Sequence, residues 1–455
     1  MGECGGRPEL VRARKRLGMN QDEAAEALLV APGTLSRWER GTQDVRPVYR
    51  ARIAQVFGVS GAEVERWLHG TEPVATELWP LPDFSDLSVT ATVGSAEKLW
   101  RGELDLDRRH LLATLPFVPA ALDGWLSAWS YSVPVGTAAR ETGRGVVGLS
   151  DVARIEEMLR TFNAIELQYG GGVIRPAVVD CLNTVVAPLL RGSYTDDIGS
   201  ALMSAAAGMT TLAGWTAFDL ARHGQAQHYF GQALKLAKTA DDPLTGIHVL
   251  VCMAQQAFHL NKPEYELLLA RAATETARRS EAPASVMAVV TAKEARATGF
   301  RTRPDRTGDR HSGKRIERLI EESRLACARG ADDRDPAWVM DYDEPEVGAQ
   351  LSVAWRLLGR NDLAADYAER AVRAFEVRRP RSAQLNRVAA GHAYLGMGEV
   401  EQAVETVRAA VPAARSLASS RLVERIRRFD RRLRPYEKTV QVREFRAYLH
   451  QQLAS

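Results

Sequence analysis

Two stretches near the C-terminus repeat one another at a fixed offset. Internal repetition restricts the folds open to a long chain more than any isolated motif does. LSVAWRLLGRNDLAADYAERAV begins at Leu351, and AGHAYLGMGEVEQAVETVRAAV begins at Ala390. Trp355 falls on Tyr394, Gly359 on Gly398, Ala364 on Ala403, Ala368 on Val407 and Ala371 on Ala410, each pair 39 residues apart. Small and apolar residues within each unit recur at helical spacing, and the glycine stands where a turn between two helices needs freedom of φ. One such helix pair cannot bury its apolar face alone, so units of this kind must stack.

Fainter copies lie upstream. Ala226, Phe230 and Ala233 keep the spacing of the second helix after Gly214 and Ala217, and Glu266, Ala270 and Ala273 keep it after Ala254 and Ala257, with Asn261 at the turn. An aromatic in the first helix, a glycine at the turn and a small–x3–apolar–x2–Ala run in the second resemble the tetratricopeptide (TPR) repeat. That repeat has a period of about 34 residues, so the longer units here are TPR-like. From Glu97 onward the chain reads almost entirely as helices with short breaks, and strand-like alternation is absent. ATGFRTRPDRTGDRHSGK, residues 297 to 314, reads as a polar surface loop, and ARGADDRDPAW, from Ala328, as a second break. Near the end, Leu422, Ile426, Phe429 and Leu433 form an apolar stripe beside Arg421, Arg425, Arg428 and Arg432. That pattern suits a terminal helix capping the array, with the arginines on a solvated face in preference to a DNA-contacting strip.

The N-terminal end follows a different plan. NQDEAAEALLVAPGTLSRWERG spans Asn20 to Gly41. Asn20 is a good N-cap and Glu23, three residues on, completes a capping box. Pro32 is excluded from a continuous helix but suits the first turn of a new one. The stretch is therefore two helices, breaking near Leu29–Ala31, the second ended by Gly41.

Residues 9 to about 68 resemble the phage repressor/Cro (XRE-type) DNA-binding domain. Gln21, Ala25, Leu35, Ser36, Trp38, Glu39 and Gly41 match its motif without a gap. RPELVRARKRLGM supplies its first helix, with Leu10 and Leu17 as core and Arg14 placed to pair with Glu39; Ile53, Val56, Phe57, Val64 and Leu68 supply the later core. The resemblance implies that Gln21 bonds a phosphate at a helix N-terminus. It also implies that Gly33, Thr34, Ser36 and Arg37 belong to the major-groove face, and that Arg40 and Arg46 contact phosphates. Arg37 suits guanine O6 and N7. Pro32 and Gly33 offer no reading side chain, which shifts discrimination to Arg37, Thr34 and DNA shape. The turn position commonly held by glycine is Leu29. Residues 1–70 hold eleven Lys/Arg and nine Asp/Glu. This small excess makes binding depend on geometry and on a dimer rather than on bulk charge.

GGGVIRPAVVDCLNTVVAPLLRGSY, LAGWTAFDLARHGQAQHYFGQALKLAK and DEPEVGAQLSVAWRLLG resemble a family of actinobacterial regulators that join this DNA-binding domain to a TPR-like domain. The expected architecture is all-α: a helix-turn-helix domain over 1–70, a linker over 71–96 pinned by Trp79, Leu81 and Phe84, and a TPR-like α-solenoid over 97–455. Two roles suit the large domain. In one it dimerises and senses a peptide or small molecule, the layout of peptide-sensing regulators of bacilli and enterococci. In the other it is a protein-interaction scaffold without a small ligand. Arg222, Gln255, Gln256, His259 and Asn386 are polar residues on the expected repeat helices and are candidates for an effector groove.

Other classes find no support. Cys4, Cys181, Cys252 and Cys327 are scattered without a CxxC pair, which suits reduced thiols in a cytoplasmic protein rather than a disulfide framework or metal site. No run approaches eighteen apolar residues and the N-terminus lacks a signal-peptide core. Arg108 and Arg109 precede an apolar run as in an export signal, yet deep in the chain a helix start with a buried face is the better reading. No Walker loop, GxGxxG, GxSxG or HExxH is present, so neither catalysis nor a cofactor is expected. YGGGVIRP, from Tyr169, reads as a helix–helix loop with a new helix near Val173. His223, His228, His248, His259 and His392 are not at metal-ligand spacing within one helix.

Overall fold

The computed structural model describes residues 7–43, 45, 47–57, 59, 64, 67, 79–133, 138–141, 143, 145–302, 310–416 and 420–453. It divides into two compact units, Met1–Pro80 and Leu81–Ser455.

In the small unit the Asn20 side chain accepts the Glu23 N–H at 2.9 Å, and Glu23 accepts the Asn20 N–H at 2.8 Å. This reciprocal cap starts α2 (Gln21–Ala27), which follows α1 (Pro8–Arg16) and precedes α3 (Pro32–Glu39) and α4 (Pro47–Phe57). Pro32 opens α3, where its missing N–H costs nothing. Leu29 carries the turn with φ +54, in the left-handed region that glycine enters freely, and the Val30 N–H closes the α2 end onto Ala25 O at 2.9 Å. Leu10, Ala13, Ala25, Leu28, Leu35, Trp38 and Ile53 form the core, and Phe57 tilts against Trp67. Leu17 was expected in that core. It instead follows the last turn of α1 and is 48% exposed, with Ala13 holding the inward position. Leu68 lies outside the described residues.

The large unit begins with α5 (Val89–Arg101), α6 (Leu106–Thr114) and α7 (Ala121–Tyr131). Residues 89–96, read from sequence as linker, are thus helical; Thr92, Val93 and Ala96 are buried in this unit. Phe84 packs on Trp125, whose indole N–H donates to Pro82 O at 2.9 Å. The chain continues through α8 (Leu149–Tyr169) and α9 (Gly171–Cys181), the latter extended by a π turn to Leu190. The new helix starts at Gly171 rather than near Val173, after one left-handed residue, Gly170. A Cβ on Gly171 would stand 2.8 Å from Thr216 Cα, so the close helix crossing requires glycine. Gly171–Leu190 is long and apolar enough by composition to cross a membrane, which the interruptions at Arg175, Pro176 and Asp180 concealed; half of it is buried inside the unit.

Helix pairs follow. They are α10 (Asp196–Asp219) with α11 (His223–Thr239), α12 (Pro243–His259) with α13 (Pro263–Arg279), and α14 (Ala284–Thr302) with α15 (Arg310–Cys327). After a 3-10 turn at Ala337–Asp341 come α16 (Glu344–Leu357) with α17 (Asn361–Phe375) and α18 (Pro380–Met397) with α19 (Val400–Arg408). The end is α20 (Val411–Ser416), α21 (Ser420–Arg432) and α22 (Val440–Leu453). Among the described residues there is no strand, and the only β pairing is two isolated bridges, Arg140 with Tyr194 and Val146 with Ser193. The fold is all-α. Residues 297–302 and 310–314, expected as loop, belong to α14 and α15, and 303–309 lie outside the described residues.

One turn is reused throughout. Ala221, Asp241, Asn261, Glu281, Gly359 and Gly398 all have positive φ. After each, the next N–H reaches back five residues to a carbonyl, from Arg222 to Ala217 at 2.9 Å and from Lys262 to Ala257 at 2.9 Å, for example. This bond satisfies a terminal carbonyl and reverses the chain in three residues. The repeat positions read from sequence, from Ala226 and Phe230 through Ala364, Ala368, Ala403 and Val407, are fully buried between the paired helices.

Buried ions close the C-terminal helices against the N-terminal ones. Arg381 on α18 donates to Asp219 on α10 at 2.8 Å and to Glu166 on α8 at 2.5 Å. Glu166 also accepts the Trp215 indole N–H at 3.0 Å, and Arg421 on α21 stands 3.6 Å from Asp219. Arg428 donates to His259 O at 2.8 Å.

Candidate functional site

On the small unit, α3 presents the candidate DNA-reading face. Glu39 at its end accepts from Arg14 Nε at 2.7 Å and from Gln21 Nε2 at 2.6 Å. This pairing, 11% and 5% exposed, fixes α3 against α1 and α2. Gln21 thus turns its side chain to Glu39 rather than outward. The Gln21 and Asp22 N–H groups in the first turn of α2 have no intrahelical partners, while that of Glu23 is capped by Asn20.

Arg37 is exposed, and its guanidinium bonds Gln43 Oε1 at 2.8 Å and Thr34 Oγ1 at 3.3 Å. Two neutral neighbours therefore hold the arginine extended while leaving donors for a base edge. A Cβ at Gly33 would meet only Arg37 Nη1, at 3.9 Å, so open space adjoins the guanidinium. Ser36 is half-buried. Arg40 is exposed, its Nε on Ser36 O at 3.3 Å. Arg46 lies outside the described residues. Trp38 is core, tilted against Tyr49 at 5.2 Å between ring centroids. Gln43 was not anticipated; nothing in its local pattern marks a residue that tethers a side chain six positions away.

The large unit holds a cavity of about 690 Å³ between α8, α10, α12, α14, α16, α18 and α21. Of the candidate effector residues, Gln255 and Asn386 line it. Gln255 Oε1 accepts from Lys293 Nζ at 3.0 Å and from Arg296 Nη1 at 2.7 Å, and Asn386 Nδ2 donates to Ser382 O at 2.9 Å. Arg222, Gln256 and His259 are elsewhere. Arg222 is the half-buried N-cap of α11, and Gln256 donates to His223 O at 2.7 Å. His259 donates from Nε2 to Glu424.

His223, His259 and Glu424 bring one donor atom each within 4.8 Å of one another, a grouping across three helices that spacing within one helix does not reveal. Burial, first, pushes the His259 imidazole down to about 4 despite Glu424, and Arg425 and Arg421 add to the effect. The His259–Glu424 bond ties α12 to α21.

The arginine stripe of α21 was expected on a solvated face, but three of its four members turn inward. Arg421 is buried, Arg425 and Arg428 are half-buried and Arg432 is exposed. The cavity's aromatic wall includes Trp338, stacked on His248 at 4.8 Å and edge-on to Tyr342 at 5.8 Å. Burial pushes His248 down to about 4, so it is neutral at pH 7.

Residues 10–64 match the family model HTH_3, a helix-turn-helix. No curated protein matches the chain. The small unit is accordingly an XRE-type helix-turn-helix domain, and the chain a DNA-binding regulator.

Proposed function

We propose that this chain is a cytoplasmic, sequence-specific transcriptional regulator, active as a homodimer and without catalytic activity. Its large unit would be a TPR-like domain that dimerises and senses a small molecule or short peptide. The cavity of about 690 Å³ inside that unit carries the sensing reading, because ligand sites of about 300–1,000 Å³ with a few placed polar groups are typical of small effectors. Closure of the helical array by Arg381 favours a held ligand over the open scaffold surface that a protein partner would need.

The dimer follows from recognition arithmetic. One helix-turn-helix head covers a half-site, and its slight positive charge provides little non-specific affinity. Selection of random DNA by the full chain should enrich a two-fold symmetric motif with half-sites about one helical turn apart. Enrichment of a lone half-site would reject the dimer. No enrichment would reject sequence-specific binding.

A further inference from the structure

Four cationic side chains converge on the cavity, and their carboxylate partners do not match them. Arg296, 1% exposed, pairs with Glu266 at 2.7 Å and bonds Gln350 Oε1, yet its Nη2 has no partner. The buried Nε of Arg421 stands 3.6 Å from an Asp219 already engaged by Arg381, too far for a hydrogen bond, and has no hydrogen-bond partner. Lys293, 3% exposed, bonds only the neutral Gln255 and sits 5.9 Å from the Tyr342 ring centroid. Arg425 makes no ion pair with any described residue; its guanidinium lies 5.4 Å from the Phe258 centroid, with Arg296 at 4.1 Å from the same ring.

The carboxylates lining the cavity form no ion pair with Lys293, Arg421 or Arg425 among the described residues. Glu166 is committed to Arg381 and Trp215, Asp341 lies beside Arg379, Asp242 caps α12 through Thr245, and Glu346 accepts from Gln350 at 3.1 Å. Crowded, dehydrated like charges are costly unless an anion joins them. Burial and then Arg296 pull Lys293 down to about 7, and burial followed by Arg421, Arg296 and Arg428 pulls Arg425 to about 9. An arriving anion would reverse both effects.

We propose that the cavity binds a small anionic molecule with a flat apolar body, its acidic group among Lys293, Arg296, Arg421 and Arg425 and its body along Trp338, Tyr342 and Phe258. Guanidinium N–H groups match the oxygens of a carboxylate, sulfonate or phosphate, and the aromatic wall gives the remainder of the ligand a surface to stack on. This rests on the sensing role proposed above and specifies the chemistry of its ligand.

A matched pair of fluorescent probes separates charge from apolar fit: 8-anilino-1-naphthalenesulfonate and N-phenyl-1-naphthylamine, the same body without the sulfonate. The full chain should bind the sulfonate with a stoichiometry of one and prefer it to the neutral probe. Arg425→Met should weaken the sulfonate roughly 10- to 100-fold, the scale of a charge-assisted hydrogen bond, and leave the neutral probe unchanged. Arg425→Lys should recover part of the loss, and thermal unfolding of both variants checks that they fold. Equal binding of the two probes, or an Arg425→Met chain that binds the sulfonate normally, overturns the anionic ligand while leaving a ligand-binding cavity intact. Failure of both probes to bind overturns the anionic ligand and the sensing role together.

Discussion

Glu39 joins three helices through one carboxylate, since Arg14 belongs to α1, Gln21 to α2 and Glu39 to the end of α3. Glu39→Ala would leave a largely buried guanidinium with the Met19 carbonyl as its remaining acceptor, at 3.1 Å, and should cost about 3–5 kcal/mol of unfolding free energy. Apolar replacement of both Arg14 and Glu39 should restore much of that loss, and unchanged unfolding of the single variant would contradict a buried pair. Arg37 answers to a different measurement. It is held by Thr34 and Gln43 beside Gly33, and base reading is the role proposed for it. Arg37→Ala should lower affinity for the selected site by about 1–3 kcal/mol and barely affect random DNA. Equal losses on both, measured by titration at fixed salt, would make it a phosphate contact. The Arg14–Glu39 pairing was legible because the helix-turn-helix pattern assigns both positions. The turn of Gln21 toward Glu39 was not, because a glutamine opening a helix has the same spacing whichever acceptor it chooses.

At the scale of single elements, the sequence exposes helices more readily than their ends. Leu29 illustrates the difference: a leucine does not advertise a left-handed turn, yet its φ is +54 and its side chain is 68% exposed. A non-glycine residue in that region carries a strain of about 1–2 kcal/mol, partly offset by the greater freedom glycine has when unfolded. Leu29→Gly should therefore stabilise the small unit by about 0.5–1 kcal/mol, read as a raised denaturation midpoint. A lowered midpoint would mean that the leucine side chain contributes packing its exposure does not reveal. Gly359 and Gly398 were readable as turns from their shared offset, whereas Ala221, Asp241 and Glu281 adopt the same geometry without the glycine signal. The polar run at 297–314 misled for a related reason: its described residues, 297–302 and 310–314, continue α14 and begin α15, and hydrophilic composition alone does not separate an exposed helix from a loop.

For the large unit as a whole, local periodicity could not disclose how the two ends meet. Glu166 and Arg381 are 215 residues apart, and Asp219 and Arg381 are 162 apart. The same blindness put the α21 arginines on a solvated face, because an amphipathic stripe does not say whether its polar side meets water or a charged interior. Arg381 fastens α18 to both α8 and α10, so its loss should act on the closure of the array rather than on any one helix pair. Arg381→Met would leave the buried carboxylates of Glu166 and Asp219 short of a counterion and should cost about 3–5 kcal/mol. Removing an exposed partner, as in Arg160→Ala beside Glu157, should leave the unfolding midpoint almost unchanged, because solvent screens that pair. Hydrogen exchange distinguishes closure from general weakening: amides of α8 and α18 should lose protection first in Arg381→Met, while those of α12 and α13 keep theirs. Uniform loss across the unit, or a variant as stable as Arg160→Ala, would mean that the ends of the array are held by apolar packing and that the ion cluster is incidental to it.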